Sequence, residues 1–204
     1  MRRLLLHLGG GKMDGTIAWG DESTKSSKSG IQAYHVCACI CNLPELVVRN
    51  KLLNATKKHV NKLHWRDMTT REKEESIRII EGLDLQHIIV SMPRNYLNLK
   101  PERARRKCME SLLQTLESQY NVNLLILESR EKHQNAKDLV LQKYLIKNKT
   151  IQKLQIEFKN GKDDARLWIP DQILGFYGEQ LNKCEDPIFV NLIQKFKNVH
   201  VKNI

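Results

Sequence analysis

Thr16-Ile17-Ala18-Trp19-Gly20-Asp21-Glu22 is an apolar run that ends on two acids. Its β-branched and aromatic residues predict a first strand over about 15–20. The same pattern recurs twice, in Leu124-Leu125-Ile126-Leu127-Glu128 and in Leu167-Trp168-Ile169-Pro170-Asp171. A carboxylate at the rim of a hydrophobic strand or helix is positioned by the core but cannot sink into it. Burying it unpaired is too costly. Three such acids converging at one edge of a sheet would form a cation site.

Working outward, Lys25-Ser26-Ser27-Lys28-Ser29-Gly30 reads as a turn. Residues 31–41, from Ile31 to Cys41, predict a second strand, so the two form an antiparallel hairpin. Pro44 opens a helix that carries Leu46, Val47, Leu52 and Leu53. After the polar-aromatic Leu63-His64-Trp65-Arg66-Asp67, Thr69 or Thr70 caps a helix that runs to Gly82. His87–Met92 is a third strand, ended by Pro93. A helix over 101–120 starts at Pro101, with Glu102 in its first turn as the helix dipole prefers. Its apolar stripe is Ala104, Cys108, Leu112 and Leu116, and another face holds Arg103, Arg106 and Lys107. A strand over 122–128 follows, then a helix over 134–147 with Leu139, Leu141, Tyr144 and Leu145. A fifth strand at about 151–158 gives way to the turn Lys159-Asn160-Gly161-Lys162, and Pro170 opens a helix over about 169–182. The tail 187–204 reads as a short helix and a last short strand at Asn198–Val201. A hairpin first and helix–strand alternation later predict an α/β fold. Its core is a mixed five-stranded sheet flanked by helices, with a helical insertion after the second strand. The first strand and the 122–128 strand are then parallel neighbours.

The bulk numbers agree. A chain of 204 residues with 41% hydrophobic content can bury one core. No apolar run approaches the roughly 18 residues a membrane span needs. Residues 1–12 read as a loose leader outside the fold, with Met13 as an alternative start and 13–204 as a single domain. Without Arg2, Arg3 and Lys12 the net charge falls from +11 to +8 and stays basic. Such a charge favours polyanion partners, above all RNA or DNA, against the plainer reading of a solvated basic surface. Five cysteines are an odd number, and Cys37, Cys39 and Cys41 alternate on one strand face as small hydrophobes rather than at zinc spacing. A reduced, cytoplasmic setting fits.

Each acid has a local explanation. Asp21-Glu22-Ser23 suits strand-end turn chemistry, Glu128 suits a pair with Arg130, and Asp171 suits the first turn of a helix. Jointly they mean more. Within about 4 Å, each pair of carboxylates repels by about 4 kcal/mol at an effective dielectric of 20. Such a cluster needs protons or cations, and oxygen-only ligands favour Mg²⁺ or Mn²⁺. Two such ions would activate a water and stabilise the leaving oxygen of a phosphodiester.

At this point the residues carry a resemblance. Asp21-Glu22-Ser23, Leu63-His64-Trp65, Glu102-Arg103-Ala104-Arg105-Arg106, Leu127-Glu128-Ser129-Arg130, Asp138, and Leu167-Trp168-Ile169-Pro170-Asp171 with Gly175 together resemble the domain of unknown function 3800 family. The match spans roughly residues 13–182. The resemblance implies a ribonuclease H-like fold. It also implies acids on the first strand, on the fourth strand and at the last core helix, which here are Asp21, Glu128 and Asp171.

Glu22, His64, Asp138 and Asp164 are the supporting candidates. His64 reads either as a turn histidine packed on Trp65 or as a proton shuttle near the acids. Asp138 and Asp164 either extend the metal site or are a solvated helix charge and a turn residue. Arg103, Arg106 and Lys107 form either a solvated face or a phosphate clamp. Arg130 is placed to neutralise the acids or to contact the scissile phosphate. Trp65 and Trp168 suit core packing better than base stacking. The expectation is a metal-dependent nuclease. The alternative is a non-catalytic nucleic-acid-binding or interaction subunit, and a protein partner or a second copy is compatible with either.

Overall fold

A computed structural model describes residues 15–26, 32–56, 60–92, 101–183 and 198–204. The expected leader, the tip of the first hairpin and the tail helix lie outside these residues. Six strands form one mixed sheet, β1 (Thr16–Ser26), β2 (Gln32–Ile40), β3 (Gln86–Met92), β4 (Val122–Glu128), β5 (Gln155–Lys159) and β6 (Val199–Asn203). Their order is β5-β4-β1-β2-β3-β6. β1 pairs antiparallel with β2 and parallel with β4, as the apolar runs imply. The sheet has one strand more than the expected five. β6 reaches 199–203 and pairs parallel with β3, which covers that strand's open edge.

Among the described residues, five α-helices flank the sheet, α1 (Glu45–Thr56), α2 (Thr70–Glu81), α3 (Pro101–Tyr120), α4 (Lys132–Lys147) and α5 (Trp168–Lys183). α2 begins in a capping box: the Thr69 hydroxyl accepts the Glu72 N–H, and the Glu72 carboxylate accepts the Thr69 N–H at 2.7 Å. None of the described helices is long and apolar enough to cross a membrane.

Strand parity sorts the core into two clusters. On one face, Trp19, Cys37, Cys39 and Ile126 pack under α1, α2 and α5 with Leu52, Ile80, Ile169 and Ile173. On the other, Ala18, Val36, Ala38, Leu125 and Leu127 pack under α3 and α4 with Cys108, Leu112 and Leu145. Cys37, Cys39 and Cys41 are buried free thiols, as an apolar strand face requires. Burial drives the pKa of all three up.

Four elements depart from expectation. β1 does not end at Gly20: it runs on to Ser26, because β2 offers partners as far as Gln32. β5 is short, because the Glu117 carboxylate of α3 takes the N–H groups of Gln152, Lys153 and Leu154 at 2.6 to 2.8 Å before the ladder begins. In α4 the core face is Asp138, Leu141, Gln142 and Leu145, while Leu139 and Tyr144 are exposed. Likewise α1 buries Val48 and Leu52 and leaves Leu46 exposed.

Candidate active site

β1 outruns β4. The last parallel pair is Gly20↔Leu127, and β1 then continues beside β2 alone. Asp21 is therefore an in-strand residue at the point where the sheet forks, not a strand-end residue. Along β1, Asp21 shares a face with Trp19; along β4, Glu128 shares a face with Ile126. Trp19 and Ile126 belong to one core cluster, so both acids point to the α5 side. Asp171 lies in the first turn of α5. It accepts the backbone N–H of Trp65 at 2.8 Å and an amide N–H of Gln172 at 3.2 Å.

The three carboxylates are linked electrostatically through Asp21 and Asp171. Burial raises the pKa of Asp21 well above its ordinary value, and the charges of Asp171 and Glu128 add to that. The Glu22 N–H, which Asp21 accepts at 2.8 Å, and the Lys62 ammonium oppose it. Burial also raises Asp171, while the Trp65 N–H, His64 and Lys62 pull it down and Glu128 pushes it up. His64 thus sits within the field of Asp171, at the N-cap of the 3-10 turn Trp65–Asp67. Lys62 donates directly to Glu128 Oε1. Its sequence position gives no hint of this, since 66 residues separate the pair.

The loop after β5 closes round this ion pair. Asn160 forms the turn, accepting the Lys162 N–H on its side chain at 3.0 Å and the Asp163 N–H on its carbonyl at 2.9 Å. A Cβ on Gly161 would meet Lys62 Cε at 2.8 Å and Glu128 Oε1 at 3.1 Å. Trp168, fully buried, donates its indole N–H to the Gly161 carbonyl at 2.6 Å and pins the loop. Trp65 lies flat against α5 where Gly175 leaves room: a Cβ there would fall 2.1 Å from Trp65 Cγ. Its indole N–H donates to Glu179 at 2.8 Å. Both tryptophans are core and scaffold, as the sequence suggested.

Glu22 points to the opposite face and joins a different system. Its Oε2 accepts the Tyr34 hydroxyl at 2.7 Å and Arg105 Nε at 2.6 Å, and its Oε1 lies 3.2 Å from Arg130 Nη1. Arg105 also forks onto both oxygens of Asp138, and Arg130 Nη2 reaches Asp138 Oδ2 at 2.9 Å. Glu22, Arg105, Asp138 and Arg130 thus close a ring of alternating charge. Burial lowers the proton affinity of Arg105, but Asp138 and Glu22 more than offset that and hold it above its ordinary value.

Asp138 corrects an expectation, whereas Asp164 meets its turn reading. Asp138 is neither a metal-site extension nor a solvated charge: it is 1% exposed and committed to two arginines on the far face of the sheet. Asp164 is also buried. It caps the 3-10 turn Ala165–Leu167 and is held by Arg166 at 2.8 Å and Lys159 at 3.3 Å. Those pairs keep its pKa low although burial pushes the other way. Arg130 neutralises Glu22 and Asp138. Arg103, Arg106 and Lys107 are exposed on α3, with Arg106 stacked 5.3 Å from the Tyr144 ring. Arg105, hidden between them, was legible. Counting back from Leu112 and Cys108 at helical spacing puts position 105 on the buried face.

A cavity of about 220 Å³ opens at the fork, lined by Asp21, Glu22, Arg105, Glu128 and Arg130 among others. It brings acids and arginines from both faces to one mouth. Among the described residues, no three His, Cys, Asp or Glu side chains are gathered tightly enough to form a ready-made metal cage. The donor chemistry of Asp21, Glu128 and Asp171 nonetheless fits a hard cation. All donors are carboxylate oxygens, and two of them are partly buried and destabilised by like charge.

A hairpin beside a parallel β1–β4 pair, flanked by helices on both faces, defines a ribonuclease H-like fold. Among solved structures, the chain is similar to one in the "Structure of the PCNA:RNase HII complex from Archaeoglobus fulgidus". The two share 14% sequence identity at a TM-score of 0.51, over 89% of this chain and 88% of that one. Neither protein-family models nor curated proteins gave a match.

Proposed function

We propose that this chain is a divalent-metal-dependent nuclease that hydrolyses phosphodiester bonds of nucleic acid, and that it belongs with the domain of unknown function 3800 family its motifs resemble. One observation carries the reading. Asp21, Glu128 and Asp171 come from three separate elements to one face of the sheet, where the charges of Asp171 and Glu128 act on Asp21 and that of Glu128 acts on Asp171. Structural carboxylates are normally dispersed or paired with cations. Here the Lys62 ammonium stands among three acids, and burial and like charge still raise the proton affinity of Asp21 and Asp171.

Asp21, Glu128 and Asp171 are the residues that would hold Mg²⁺ or Mn²⁺. When bound, such an ion supplies an activated water and neutralises charge on a phosphodiester. The chain does the positioning. The Trp65 N–H fixes the Asp171 carboxylate, and the Glu22 N–H fixes that of Asp21. His64 stands near Asp171 as a group able to move a proton. Arg103, Arg106 and Lys107 offer an exposed cationic helix face to phosphates, and the net charge of +11 draws the polyanion in. The setting is cytoplasmic, and a protein partner or a second copy is compatible with it.

The test is cleavage of single-stranded and duplex RNA and DNA with Mn²⁺ by wild type, Asp21→Asn and Asp171→Asn. Each variant should lose at least about 100-fold in rate, as expected when a ligand to the catalytic ion is removed. Equal cleavage by wild type and both variants would sink the assignment. The Lys62–Glu128 pair favours a second reading, in which the fold binds nucleic acid without cutting it. That reading predicts salt-dependent binding and no metal response.

A further inference from the structure

Among the described residues at the acid face, Lys62 is the one that the nuclease reading leaves without a task. It comes from the segment between α1 and the 3-10 turn, and its ammonium lies on Glu128 Oε1. Its charge also acts on Asp21 and Asp171, so it serves all three acids. The side chain is 13% exposed, and Gly161 is the residue that gives its methylenes room to lie against Glu128. An ammonium in that place does what a bound cation would do for Glu128. A divalent ion on Glu128 Oε1 would compete with it for that oxygen.

Resting on the nuclease reading above, we infer that Lys62 is a resident counter-cation that serves two anions in turn. In the metal-free protein it holds Glu128 in place and limits repulsion among the acids. Where Glu128 Oε1 holds a divalent ion, the ammonium would give up that oxygen. The freed ammonium, on its flexible stem, would then contact a phosphate oxygen of the nucleic-acid strand. Lysine suits both tasks, being a compact point charge on a flexible stem that pairs with carboxylate or phosphate.

Two measurements on wild type, Lys62→Met and Lys62→Arg test this. The first is the melting temperature across a Mn²⁺ titration, because a ligand that binds only the folded state raises it. Removing the competing ammonium should lower the Mn²⁺ concentration at half-effect by about fivefold in Lys62→Met, the scale of a partly exposed ion pair. Lys62→Arg should stay near wild type. The second is fluorescence anisotropy of a labelled single-stranded oligonucleotide with and without Ca²⁺. Lys62→Met should bind several-fold more weakly with Ca²⁺ and equally without it, since only the loaded site frees the ammonium. If Lys62→Met does not fold, Lys62→Gln replaces it in both arms. An unmoved Mn²⁺ midpoint, or an equal loss of binding with and without Ca²⁺, overturns the role of Lys62 alone. A wild type that millimolar Mn²⁺ does not stabilise overturns the metal reading and this inference together.

Discussion

Replacing Asp138 by Asn should be among the most damaging single-atom changes in this protein. The Asp138 side chain is 1% exposed and that of Arg105 is 6% exposed, so the heart of the charge ring is shielded from water. Asp138 accepts from Arg105 Nη1 on one oxygen, and from Arg105 Nη2 at 2.7 Å and Arg130 Nη2 at 2.9 Å on the other. Asparagine keeps one acceptor and turns an NH₂ group toward a guanidinium. Glu22 is then left to balance two buried or half-buried arginines alone. A hydrogen bond to a charged group contributes a net of about 1.5–3 kcal/mol, but these three share partners and do not add. Breaking a buried ion pair from one side costs about 3–5 kcal/mol, and about 4 kcal/mol is the expectation here. For a domain near 200 residues, that lowers the melting temperature by about 8–16 °C. Thermal and urea unfolding followed by circular dichroism would measure it. Arg105→Met in the Asp138→Asn background should cost less than the sum of the two, because Glu22 and Arg130 then remain as a balanced pair. A fall of less than about 3 °C for Asp138→Asn, well under the loss expected from the ion-pair cost, would show that the ring contributes little and that its burial does not matter.

Other consequences are independent of that one. The folded-state pKa values of Asp21 and Asp171 are raised, so their contribution to stability is fully present below the ordinary carboxylate range and is lost as pH rises through the folded values. Metal-free Asp21→Asn should therefore melt above metal-free wild type at pH 7, and the gap should close as pH falls toward 4. A gap independent of pH would refute the like-charge account. Gly175→Ala drives a methyl into the Trp65 ring and should cost about 1–3 kcal/mol by overpacking. Altered tryptophan fluorescence should accompany the loss, because the ring cannot retreat without dropping Glu179. Glu117→Ala strips three N–H groups of their acceptor. It should cost about 1–2 kcal/mol, the low end for unsatisfied donors because water reaches them. Hydrogen exchange at Lys153 and Leu154 should rise with it.

Much of this architecture is written locally. Pro101, Thr69 and the apolar runs mark where helices and strands begin, because those signals act on the backbone within a few residues. The parallel pairing of β1 with β4 follows from the order of elements alone. The end of β1 does not. Asp21-Glu22-Ser23 has the composition of a turn, and only the length of β2 opposite keeps it in the ladder. Arg105 sits at a core spacing in α3, so its burial was there to be read; its partners were not. Asp138 is 33 residues away and Lys62 is 66 residues from Glu128, and no local pattern encodes either meeting. The sixth strand was visible as a short apolar tail, but its place beside β3 depends on an edge that exists only once the sheet is built.

Asp21 and Glu22 are neighbours in the chain, yet one faces a lysine among acids and the other faces two arginines. A slip of β1 by a single position would exchange them. The longer glutamate would enter the crowded acid face, and the shorter aspartate would be left reaching for arginines spaced to fit its neighbour. Hydrophobic alternation already opposes such a slip, since Trp19 and Ala18 would also trade faces. The two acids add an electrostatic proofreading step to it. A mispaired strand carries the wrong charge to both sides of the sheet at once, so the elements that bring Arg105, Arg130 and Lys62 cannot close over it with their ion pairs made.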